Sequence, residues 1–362
     1  AARALVAEGQ AGAAIGILGP LTESEHLATA CMARVSLLAA GREDQLAPLR
    51  ELLSAPKMPD AAAGLILDQL AEDEVAAGRA LARMITEAES PRLRLSAWRA
   101  VAALETGVGP ELAAAVGRAQ RPREKLRLLA LLAAQPDATG PLLQLSRRTG
   151  VAASLAKLEL ARRGVQRDAE AALRAALAPP HPVVVDYVLA RAREDLAEGP
   201  DVAAFYARPL GAFLQSLPAQ ARLMTPAHRR GALVATFLAD LGTPAARAAL
   251  RKALGGRYSG IVRSVATGLL RSDNPAVCDL AAPLLDSPYR ELTVDAALTL
   301  GRFADRRATP VLRSLLRDRG PHADPLAALA AWYLLKADGR AAAAARELAR
   351  KIQQPARVTT GR

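Results

Sequence analysis

The chain has 362 residues, a net charge of +12 and 51% apolar residues, of which aromatics supply only 3% of the chain. Ala and Leu make up the bulk, both strong helix formers, and strand-like alternation of Val, Ile and Thr is missing. This composition excludes a sheet-based fold and predicts an all-α chain. The charge-free stretch 9–22 contains four Gly and one Pro and is too short to cross a membrane.

Punctuation by Pro, Gly, Ser, Thr and Asp predicts a lone apolar helix over 2–18, then about ten helical hairpins. First helices are predicted near Thr22, Pro59, Pro91, Arg121, Gly150, His181, Thr225, Ser259, Tyr289 and Ala323. Second helices are predicted near Arg42, Val75, Gly109, Asp137, Gln166, Asp201, Thr243, Asn274, Arg306 and Gly339. Starts recur mostly every 29–37 residues, with one interval of 44 between His181 and Thr225. Thr225-Pro226, Thr243-Pro244 and Asn274-Pro275 place a capping side chain before a first-turn Pro. Gly164, Gly242 and Gly301 follow helical runs and are expected as left-handed terminators. Leu93, Ala97, Ala100, Val101 and Leu104 form one stripe expected to be buried.

The period is clearest late in the chain. Leu254, Leu285 and Leu316, 31 residues apart, close AARAALRKAL, AVCDLAAPLL and TPVLRSLL. A fixed period of this length marks a stacked repeat array. The chain therefore divides into a lone helix or partial repeat (1–20), regular hairpins (21–180), a longer irregular repeat (181–224), regular hairpins again (225–354) and a basic tail (355–362). The sequence starts at Ala1 rather than Met, as expected of a processed or trimmed chain; a cleaved export signal is compatible with this. Upstream residues or a partner subunit would then cap the first helix.

The stretches PRLRLSAWRAVAAL (91–104) and LTVDAALTLG (292–301) resemble the first helix of HEAT repeats, and the short period resembles the phycobilisome-lyase-type subgroup. The resemblance covers most of 22–352 and departs from the pattern in 181–224 and 323–352. It implies a right-handed α-α superhelix of the armadillo type, one continuous arc whose second helices line the concave face. It also implies a non-enzymatic scaffold for a protein partner, held as a subunit of a larger assembly. A few relatives bind nucleic acid, and a few are lyases or DNA glycosylases.

Catalytic signals are weak. His26, His181, His228 and His322 are far apart, and none has a companion at metal-ligand spacing. Ser154-Leu155-Ala156-Lys157 matches S-x-x-K without its companion motifs. Trp98 and Trp332 are too far apart along an array to wall one base pocket. No cofactor or metal is expected. Cys31 and Cys278 are isolated, which suits buried apolar roles and points mildly to a reducing, cytoplasmic setting.

Two features remain as candidate binding sites. Residues 1–120 carry a net −4 and 121–362 a net +16. Arg outnumbers Lys 42 to 6, which also suits a GC-rich genome. Within the basic part, Arg247 and Arg251, Arg313 and Arg317, and Arg346 and Arg350 form like-charge pairs at i, i+4 on second helices. They are candidate anion-binding residues, for nucleic acid or another polyanion, although the intervening 274–286 carries no cation and two carboxylates. The alternative is a solvated face. The second feature is Tyr187, Phe205, Tyr206, Phe213 and Phe237, five of eleven aromatics within 51 residues of the irregular repeat. Tyr187, Phe205, Tyr206 and Phe213 are candidate protein-binding anchors. The alternative is that the rings fill a wedge left by irregular packing. Arg147-Arg148 and Arg162-Arg163 are expected to complement helix C-terminal dipoles.

Overall fold

The computed structural model describes residues 11–55, 58–59, 62–63, 65–67, 82–83, 85–88, 90–165, 168–178, 181–219, 225–256, 259–317 and 323–338. Among these residues every regular element is helical. The chain forms two compact units, Ala1–Ala176 and Leu177–Arg362.

The first unit opens with α1 (Ala11–Leu18), α2 (Leu27–Ala39) and α3 (Leu46–Ser54). Leu18, Ala33 and Leu37 seal α1 onto α2. The helix predicted at Thr22 starts instead at Leu27, because Pro20 opens a separate 3-10 turn, Pro20–Glu23. Next come α4 (Pro91–Leu104), α5 (Gly109–Arg118), α6 (Pro122–Ala134), α7 (Thr139–Ser146), α8 (Val151–Arg162) and α9 (Ala169–Leu177). α4 packs on α6 and α6 on α8, while α5 packs on α7. First and second helices thus form separate rows.

Local chemistry sets these elements. The Ser90 hydroxyl accepts from the Leu93 N–H, and Pro91 and Pro122 occupy first turns. Leu93, Ala97, Ala100 and Val101 of the expected stripe are buried. Burial of the apolar stripe, rather than propensity alone, is what holds helices of this length. Gly164 takes the expected left-handed conformation, at φ 72°.

The second unit contains α10 (Pro182–Glu198), α11 (Ala207–Ser216), α12 (Pro226–Leu241), α13 (Pro244–Leu254), α14 (Gly260–Arg271), α15 (Cys278–Ala281), α16 (Arg290–Arg302), α17 (Thr309–Arg317) and α18 (Ala323–Asp338). First helices again pack in sequence, α10 on α12, α12 on α14, α14 on α16 and α16 on α18. The Thr225 hydroxyl accepts from the His228 N–H while the Thr225 N–H donates to His228 Nδ1, closing a capping box. His228 is fully buried, and its Nε2 donates to the Pro218 carbonyl at 2.9 Å. Gly242 ends α12 at φ 63°.

Three expectations change. Gly301 lies inside α16, not beyond its end; a methyl there would stand 2.8 Å from Tyr333 Cβ, so its smallness serves helix contact. The second helix expected at Asn274 is broken into a 3-10 turn, the four-residue α15 and another 3-10 segment, Ala282–Asp286, whose Pro283 lacks a donor. The helix expected from Asp201 begins at Ala207, after the 3-10 turn Ala204–Tyr206. The start predicted at Gly339 lies outside the described residues, as does most of the segment expected from Val75.

Side chains join neighbouring repeats at nearly constant sequence separation. Gln135 Nε2 donates to the Ala102 carbonyl, 33 residues back. Arg163 donates to the carbonyls of Ala133 and Gln135 at 2.6 and 2.8 Å. Arg302 does the same to Leu270 and Ser272 at 3.1 and 2.8 Å. Arg163 therefore serves the carbonyls ending the previous first helix, and Arg162 pairs with Glu159. Neither is simply a charge at its own helix end.

Candidate functional site

A concave feature lies in the first unit. A cleft of about 250 Å³ is lined by Thr86, Glu87, Arg94, Trp98, Ala115, Arg118, Ala119, Gln120, Glu124 and Leu128. Trp98 and Leu128, both buried, form apolar parts of its wall from α4 and α6. Glu124 is also buried, on the first turn of α6, where a carboxylate suits the helix dipole. Arg94 holds it with two bonds, Nε to Oε1 at 2.9 Å and NH2 to Oε2 at 3.1 Å, and uses NH1 on the Ala88 carbonyl at 2.6 Å. A planar guanidinium is suited to this fixed two-point grip. Arg118 pairs with Glu87 at 3.1 Å at the rim, where both are well exposed. Arg83 pairs with Glu105 and Glu111 nearby in sequence. The wall of the cleft is thus partly apolar, from Trp98 and Leu128, and partly polar, from Thr86, Gln120 and the ion-paired Arg94, Glu124, Glu87 and Arg118.

No family model matches the chain, and no curated protein is similar to it.

The sequence-predicted aromatic anchors are mostly interior. Tyr206 is fully buried, Phe213 and Tyr187 are buried, and Phe205 is half-buried. The Tyr206 hydroxyl donates to buried Asp195 at 2.8 Å, its ring lies 4.1 Å from that of Phe205 and meets Phe237 edge-on at 6.0 Å. Arg191 lies over the Tyr187 ring. In this arrangement Tyr206 and Phe213 act as core, filling the space beside the 3-10 entry to α11. A partner reaches neither of them without opening the repeat.

The Arg pairs divide. Arg247 is half-buried and Arg251 exposed on α13, and among the described residues neither forms an ion pair. Arg313 is exposed on α17. Arg346 and Arg350 lie outside the described residues, as does the side chain of Arg317. Between α13 and α17 in sequence lies α15, where Asp279 pairs with Arg307 at 3.2 Å. A carboxylate thus lies between the two helices in sequence, itself paired with a cation.

Titratable groups with displaced pKa values are few. Burial pushes Asp295 up to about 6, with Glu291 adding to the rise and Arg263 and a Thr267 hydrogen bond opposing it. Burial raises the Cys31 thiol to about 11 and also raises Cys278. These thiols are buried and free, and such raised values suit inert packing. Among the described residues no three His, Cys, Asp or Glu are grouped to hold a metal, and no helix is long and apolar enough to cross a membrane. The cleft escaped sequence reading because its residues come from four separate segments. The 30-residue spacing of Arg94 and Glu124, one repeat apart, was the available signal.

Proposed function

We propose that the chain is a HEAT-like α-α superhelix that acts by binding, and that it holds a segment of a protein partner. The observation that carries this reading is the Trp98 cleft. It lies where two first helices meet, its apolar wall is fixed by the Arg94–Glu124 pair, and its volume suits one large apolar side chain. A preformed pocket lowers the ordering cost of association, and fully desolvated pockets are where interface energy concentrates. The repeated side-chain bridges near 30-residue separation support the array reading.

The test uses rim positions, since Gln120 and Arg118 are exposed and their replacement leaves the core intact. The full chain is immobilised and proteins captured at low and high salt are identified. Gln120→Trp, which closes the mouth, and Arg118→Glu should each lose a protein that the native chain retains, whereas Phe205→Ala should keep it. Capture that ignores both rim changes rejects the cleft.

A further inference from the structure

A second surface was not marked by the sequence reading and is independent of the cleft proposal. Pro91-Arg92-Leu93-Arg94-Leu95 on α4 recurs 31 residues later as Pro122-Arg123-Glu124-Lys125-Leu126 on α6. Arg92 and Arg99 are exposed on one face of α4, two turns apart; Arg123 and Arg127 are exposed on one face of α6, one turn apart. The two helices pack side by side. At 1.5 Å per residue the spacings along the helices are roughly 10 and 6 Å, and packed helices stand about 8–10 Å apart. Four guanidinium groups therefore share a patch about one Debye length across at physiological salt.

Three facts say that the charge of Arg92, Arg123 and Arg127 is not structural. Arg92, Arg123 and Arg127 form no ion pair among the described residues. Arg92 and Arg123 both stand at the second position of their helices, where the dipole disfavours a cation. Glu124, the one carboxylate on α6, is turned inward to Arg94 and does not neutralise them.

We infer that this face binds the phosphate backbone of a nucleic-acid duplex. The other residues at helical spacing on these two faces are small: Ser96 and Ala103 on α4, Ala130 and Ala134 on α6. Such a face lacks the pocket an acidic peptide needs for an apolar anchor. It also lacks an exposed ring for stacking unpaired bases, since Trp98 is buried on another side of α4. What it offers is a flat array of forked donors. One strand of a duplex carries a phosphate every ~3.4 Å of axis, so about 10 Å of it presents roughly three phosphate charges to the patch. Contacts of this kind position the backbone and read no sequence.

The experiment is fluorescence anisotropy of the full chain with labelled DNA and RNA duplexes of about 20 base pairs, between ~50 and 200 mM salt. Binding should weaken steeply with salt and ignore sequence, and the tighter duplex names the source. The triple variant Arg92→Gln, Arg123→Gln, Arg127→Gln should lose at least about tenfold in affinity at low salt, and its log–log salt slope should fall by roughly one per arginine. A control with equal charge loss at exposed positions elsewhere, Arg193→Gln, Arg208→Gln, Arg229→Gln, should keep the slope. Equal loss in both variants overturns the patch, because net charge then suffices. Absence of duplex binding at low salt, or binding of poly-glutamate through the same arginines with the duplex unaffected, also overturns it. Loss of cleft-dependent protein capture has no bearing on these readouts.

Discussion

The α4–α6 and α12–α14 contacts occupy the same place in the repeat and are built from opposite materials. Between α4 and α6 a buried carboxylate meets a guanidinium in two hydrogen bonds. Between α12 and α14 the helices close on glycine: a methyl at Gly268 would stand 2.5 Å from Ala235 Cβ and 2.6 Å from the Ala232 carbonyl. The Thr236 hydroxyl then reaches the Gly268 carbonyl at 3.1 Å. Charge at the first contact leaves room for a cleft and for side chains as large as Trp98. Close approach at the second leaves none. The difference teaches that an array of equal period can be open or shut according to which residue stands at one position.

The largest effect should come from removing the charge partner at the open contact. Arg94→Ala strands Glu124 in a buried site, and loss of one member of a buried pair costs about 3 kcal/mol or more. A urea titration should show a lower midpoint. The double replacement Arg94→Met with Glu124→Leu should recover most of it, since apolar residues of similar volume often match a buried pair. A double variant as unstable as the single one shows that the pair does more than cancel its own desolvation.

At the shut contact the expected loss is about 2 kcal/mol. Gly268→Ala forces α12 and α14 apart and stretches the Thr236 bond, a cost of overpacking usually of ~1–3 kcal/mol. It is partly offset by the better helix propensity of Ala, worth up to ~1 kcal/mol. Gly140→Ala on α7 is the matched control, for nothing lies within 4 Å of the added methyl. There only the propensity gain remains, so thermal melting should move the two variants in opposite directions. A shift of the same sign for both means that the helices of the second unit yield more readily than their contacts suggest.

Much of the fold was legible in the sequence because caps and Pro positions act locally. Pro91, Thr225 and Thr243 open their helices where expected, since a hydroxyl before a first-turn position needs nothing from the rest of the chain. Gly301 was misplaced because its reason is tertiary: Tyr333 presses on it from α18. The aromatic cluster was visible, but burial depends on the 3-10 entry at Ala204, which sequence periodicity does not show. Arg92 and Arg123 went unmarked because two exposed arginines on a helix are ordinary; only the packing of α4 on α6 makes the four one surface.

The smallest of the three effects tests whether charge is tolerated in the second unit at all. Asp295 sits on α16 against α14, with Thr267 and Arg263 facing it and Glu291 one turn before it on its own helix. Its pKa stands at about 6 in the folded chain against 3.8 for the free group. The folded state therefore holds this proton more tightly than the unfolded state. The ionised form is the penalised one, so stability should fall as pH rises from about 4 to about 6 and flatten above. A shift of this size corresponds to at most about 3 kcal/mol, and partial solvent access reduces it to between about 1 and 2. Asp295→Asn removes the titration while keeping a polar group opposite Thr267. Its unfolding free energy should lose that slope between pH 4 and 6 and exceed the native chain's at neutral pH. A variant whose pH profile parallels the native one would falsify this assignment and place the neighbouring Arg263 charge, rather than burial, in control of Asp295.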